Sequence, residues 1–159
     1  MLLHANRVPP HIGMMIDHLY HSLSIKGQEV NVAGEVLMKN IAVRKIPAVF
    51  LEIRKHPVFS NDHLSESFAE QIRGFDKVNS RGNTCLSPVK LFFEEFYAID
   101  KDRVNLVFDL LREISENKYG GLAFGAHLGA LKENIFYLQP YNQRDLEKQI
   151  EEELLKLKK

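Results

Sequence analysis

Cysteine is almost absent from this chain: its 159 residues include one, Cys85. A single thiol closes no disulfide within the chain and builds no multi-cysteine zinc site, so Cys85 acts as a thiol or not at all. An excess of charge of either sign is also missing. Lys plus Arg and Asp plus Glu both number 21, giving a formal net charge of zero. That leaves no long-range field to gather phosphates, and no nucleic-acid partner is expected. Long apolar runs are missing too. No stretch approaches the span of a bilayer, and the opening MLLHANRVPPH has no apolar core of signal-peptide length, so the expectation is a cytoplasmic protein with no transmembrane segment.

What is present fits one ordinary globular domain over residues 1–159. Apolar residues make up 45 % and charged residues 26 %, which is enough to bury a core without disulfides or metal. His11–Ile16 and Leu19–Ile25 are short strand-like runs flanking Asp17-His18, a pattern that predicts a hairpin, and the alternation from Gln28 to Val32 predicts a third strand. Ala33–Arg44 has a helical period ended ahead of Pro47, and Ala48–Ile53 has the β-branched and aromatic content of a central strand. Ser60 is placed to cap a helix with Leu64, Phe68, Ile72 and Phe75 on its buried stripe. Further helices are predicted after Cys85, with Val89, Phe92, Phe93 and Phe96 on one face, and over Asp102–Asn117, with Val104, Val107, Phe108, Leu111 and Ile114 as its stripe and Gly120-Gly121 as its end. Ile135–Leu138 has strand composition, and Asn142 with Asp145 marks the start of a last helix running to about residue 158. The Gly-rich segment 122–131 carries no assignable pattern.

A lone cysteine is most often a small buried hydrophobe. A catalytic thiol needs more: a base within reach, donors aimed at the oxyanion and a thiolate-stabilising environment. A helix N-terminus directly after Cys85 could supply donors and positive potential. His11 and His21 are candidates for the base and for the group that orients it, if the hairpin brings them together across the ladder. His127, among the small residues of Gly125-Ala126-His127-Leu128-Gly129, is a reserve base. No HExxH or acid-histidine cluster accompanies His11 and His21, so neither a metal nor another cofactor is expected.

His11-Ile12-Gly13-Met14-Met15-Ile16-Asp17, followed by Tyr20-His21-Ser22 and Gly27, resembles the histidine signature of the NlpC/P60 hydrolases. The order, with Thr84-Cys85-Leu86-Ser87-Pro88-Val89 after the histidines, is similar to the circularly permuted branch that holds the YiiX-like and lecithin:retinol acyltransferase-like proteins. The resemblance implies an α+β, papain-like fold in which a small antiparallel sheet packs against helices. It also implies roles: Cys85 as nucleophile, His11 as general base and His21 as the residue orienting His11. The implied activity is thiol hydrolysis or acyl transfer on an amide or ester of a small acylated, peptide-like or lipid-like substrate, through a thioester on Cys85. A protein of the same fold without turnover, acting as a binding or interaction module, is the alternative. Only ten residues precede His11, so the strand usual there in the permuted branch is expected to be short or absent.

Overall fold

The computed structural model describes residues 1–5, 7–79, 82–129 and 138–157. It is an α+β arrangement of one six-stranded sheet, all of whose neighbours pair antiparallel, in the order β4-β3-β2-β1-β5-β6. The strands are β1 (Leu2–His4), β2 (His11–Ile16), β3 (Leu19–Ser24), β4 (Gly27–Ala33), β5 (Ala48–Ile53) and β6 (Gly120–Ala126). Helix α1 (Gly34–Arg44) follows β4, and α2 (Asn61–Arg73), α3 (Leu86–Tyr97), α4 (Val107–Glu116) and α5 (Gln143–Lys156) follow β5 in the chain.

The expected hairpin forms because Asp17 and His18 both adopt positive φ, 48° and 67°. That backbone matches the right-handed twist of the strands on either side, and Ile16 pairs with Leu19 across the two-residue loop. Side-chain alternation then divides the core. Leu3, Ile12, Met14 and Val49 face α2, α3 and α4, where Phe68, Phe92 and Phe93 are fully buried. Leu2, Tyr20 and Ala48 face the opposite way, against Leu37 and Ile41 of α1. The Ser60 hydroxyl accepts the His63 N–H at 3.3 Å, the cap foreseen for α2. In α5, Asn142 and Asp145 form the reciprocal pair of a capping box.

Three expectations change. The helix predicted from Asp102 begins at Val107, because Lys101–Arg103 form a separate 3-10 turn held by Asp100. The buried apolar positions of that helix are Val107, Leu110 and Ile114, with Glu113 buried beside them, rather than the stripe containing Leu111. Gly120-Gly121 does not end it but opens β6, whose pairing with β5 assigns most of the Gly-rich segment. The strand upstream of His11, expected to be short or absent, is short: it is the three residues of β1. Residues 135–137 of the strand expected at Ile135–Leu138 lie outside the described residues. No helix among the described residues is long and apolar enough to cross a membrane.

Candidate functional site

Cys85 is the N-cap residue of α3, and its sulfur lies against the end of the sheet. The β2–β3 ladder stops at Gly13 and Ser22. The next backbone N–H on β2, that of Ile12, is donated to the Cys85 thiol. Burial pushes the thiol pKa up, and the Ile12 and Cys85 backbone N–H groups oppose that shift, as does Arg7, while Glu153 adds to it. Thr84 organises the turn into α3: its hydroxyl accepts the Leu86 N–H at 3.2 Å, and its own N–H reaches the Ser87 hydroxyl at 2.9 Å.

His11 stands at the start of β2 and lines the same small cavity, about 70 Å³, as Cys85. Its ring meets His4 edge to face, with centroids 5.5 Å apart, because β1 pairs His4 directly with His11. Burial, then the nearby His4 and Arg7, push the His11 pKa down to about 3. The imidazole is therefore neutral at physiological pH, the form able to accept a proton. Among the described residues no hydrogen bond joins the Cys85 thiol to the His11 ring. Arg7 closes over the cavity by an ion pair to Glu153 of α5 at 3.1 Å.

His21 is elsewhere, which corrects the expected orienting pair. A two-residue loop pairs residues of opposite parity, Gly13 with Ser22 and Met14 with His21. His11 and His21 are both odd-numbered, so they project from opposite faces of the sheet. His21 is fully buried against α2. Its Nδ1 accepts the Asn31 N–H at 3.2 Å, which fixes the neutral tautomer with hydrogen on Nε2, and Nε2 then donates to the Ser65 hydroxyl at 3.0 Å. Asn31 can turn its N–H inward because it sits at positive φ where the β3–β4 register shifts. Burial, and secondarily Arg73, push the His21 pKa down to about 4. His21 is a strut between β3, β4 and α2.

The reserve base is also misplaced. His127 is exposed at the end of β6, and three strand spacings, roughly 14 Å, separate that edge strand from β2. His4 and Tyr20 are the site residues sequence reasoning passed over. A three-residue strand carries too short an alternation to reveal that His4 pairs with His11. The Gly13 of the histidine signature is the one signal for Tyr20: a side chain there would collide with the Tyr20 ring and hydroxyl.

No family model matches this chain, and neither does any curated protein or solved structure. The chemistry of the site therefore rests on its own geometry. Among the described residues no group of three or more His, Cys, Asp and Glu side chains is placed to hold a metal ion.

Tyr20 is 2 % exposed. Burial, then Glu29 and Cys85, push its pKa up and the Ser22 hydroxyl beside it opposes that shift, but by distance and angle the Tyr20 hydroxyl completes no hydrogen bond. A buried hydroxyl without a partner costs stability, so Tyr20→Phe, which keeps the ring, is expected to stabilise the free protein by about 1 kcal/mol. Urea unfolding checks this: the midpoint should rise with the slope unchanged.

Proposed function

We propose that the protein is a cytoplasmic thiol hydrolase or acyltransferase of papain-like, permuted NlpC/P60 type, with Cys85 as nucleophile and His11 as general base. The observation that carries this reading is the small cavity lined by both Cys85, at the N-terminus of α3, and His11, whose imidazole is neutral. His11 takes the thiol proton as sulfur attacks the carbonyl carbon of an amide or ester. The tetrahedral intermediate collapses to a thioester, and the leaving amine or alcohol departs with the proton from His11. Water or another acceptor then releases the acyl group. The Ile12 and Cys85 N–H groups, already turned toward the sulfur, are the donors this reading assigns to the developing oxyanion. The substrate class is a small acylated or peptide-like molecule. A raised thiol pKa makes this a general-base mechanism, with proton transfer concerted with attack, rather than one that starts from a resting thiolate–imidazolium pair.

A second reading has its own observation. The Cys85 thiol is desolvated and not bonded to His11, which suits a binding or interaction module of the same fold without turnover. Incubation with p-nitrophenyl acetate decides between them. The enzyme reading expects one acetyl group on the intact protein, mapped to Cys85, removed by hydroxylamine and absent in Cys85→Ala. Labelling confined to lysines, or unchanged in Cys85→Ala, would favour the module.

A further inference from the structure

One face of α5 forms part of the wall around the Cys85 and His11 cavity. Leu146, Gln149, Ile150 and Glu153 share that face by their helical spacing, and all four line the cavity. Ile150 is buried with Leu23 and Val78, and Cys85, Leu146 and Leu154 pack against that cluster. The space left at the thiol is about 70 Å³. An apolar cavity of about 150 Å³ takes one benzene. Cys85 keeps partial exposure, but a cavity of this size has no room for an acyl donor with its leaving group while α5 is in place.

The helix is anchored at one end and lightly held along the rest. Just ahead of it, the buried Tyr141 hydroxyl accepts the Val107 N–H at 3.1 Å, and the Tyr141 ring packs on Phe108. The Asn142 and Asp145 capping box then fixes where the helix starts. Beyond that point Ile150 is the one buried residue of α5. Among the described residues the Arg7–Glu153 pair is the one hydrogen bond or ion pair from α5 to the rest of the chain, and its side chains are 49 % and 19 % exposed. An exposed pair of this kind adds little to the closed state. Elements with so few buried apolar contacts open locally, ahead of global unfolding.

We propose that α5 is a cap on the Cys85 thiol: held shut by Ile150 and the Arg7–Glu153 pair, it swings away about Tyr141 to admit a substrate larger than the cavity. The closed arrangement is then the autoinhibited one. Opening leaves the thiol, the His11 ring and the Ile12 N–H in place, because they belong to α3 and β2. That the cap governs acyl transfer rests on Cys85 being the nucleophile; that it governs access to the thiol does not.

Two neutral maleimides of one chemistry and different size test the cap on the full chain at pH 8. N-methylmaleimide is the small reagent and N-pyrenylmaleimide the bulky one, and Cys85 is the sole thiol. The ratio of bulky to small labelling rates cancels changes in thiol acidity, including the loss of the Glu153 charge felt at Cys85. In the native protein that ratio is expected about tenfold or more below its value in the urea-unfolded chain. Ile150→Ala should raise it about tenfold and Glu153→Gln about twofold to fivefold. Raising the salt to about 0.5 M should lift the native ratio but not that of Glu153→Gln. Leu37→Ala loosens the opposite face of the sheet and should leave the ratio unchanged, which separates cap opening from general loss of stability. A native ratio equal to the unfolded one, a ratio indifferent to both α5 variants, or an equal rise in Leu37→Ala would overturn the cap. Faster bulky labelling in the α5 variants without acetylation by p-nitrophenyl acetate would instead support the cap and overturn the acyl-transfer reading.

Discussion

Lowering the pH from 7 to 5 is expected to remove about 4 kcal/mol of folding stability, a large share of what a domain of this size possesses. The cause is two histidines kept neutral by burial, His11 with a pKa near about 3 and His21 near about 4. In the unfolded chain each titrates at about 6.5. Between those values the unfolded state holds the extra proton, so stability is fully present above about 6.5 and falls as acid is added. Each histidine contributes about 2 kcal/mol of that loss by pH 5, at about 1.4 kcal/mol per pH unit. For His21 the structural reason is explicit: a proton on Nδ1 would point at the Asn31 N–H that this nitrogen now accepts. Urea midpoints measured at pH 7, 6 and 5 test the effect. His21→Gln should be less stable at pH 7, having lost a strut, yet should lose only about half as much between pH 7 and 5. A midpoint that does not move over that range would show that neither ring is held neutral by the fold.

His11→Ala is expected to slow acetylation of Cys85 by p-nitrophenyl acetate at pH 7 by about 10–10²-fold, below the contribution of a general base matched to the working pH because burial holds the His11 pKa at about 3. The size of the effect follows from the state of the thiol. Burial raises its pKa, so little thiolate is present at neutral pH and attack depends on removal of the proton as the bond forms. Stopped-flow release of p-nitrophenolate measures it. His21→Gln is the companion variant: its ring faces α2 from the other side of the sheet, so it should change the rate far less than His11→Ala.

Much of the fold was legible in the sequence because its signals were local. Asp17-His18 between two apolar runs, Ser60 ahead of a helical stripe, and Asn142 with Asp145 each act within four residues. Each forms as expected. The placement of Cys85 directly before α3 was legible for the same reason. The failures are non-local. His11 and His21 share a motif, but which face each takes depends on the parity imposed by a two-residue loop, a distinction of one residue that composition does not carry. His4 was invisible because β1 has three residues and is defined by its partners on both sides. Gly120–Ala126 has no strand-like composition and becomes a strand because β5 offers it an edge. Tyr20 carries no signal of its own in the sequence; its ring fills the space a side chain at position 13 would take, which only the paired β2–β3 strands reveal.

The most direct test of the thiol–imidazole account is the rate of Cys85 acetylation from pH 4 to 10 in the native protein and in His11→Ala. With His11 neutral above about 3, the account predicts a native rate nearly constant from pH 4 through neutrality, rising only where the thiol itself ionises. In His11→Ala the rate should instead climb about tenfold per pH unit until it nears the native curve in alkali. Two superimposable profiles, both following thiol ionisation alone, would contradict the account and leave Cys85 as a buried structural thiol.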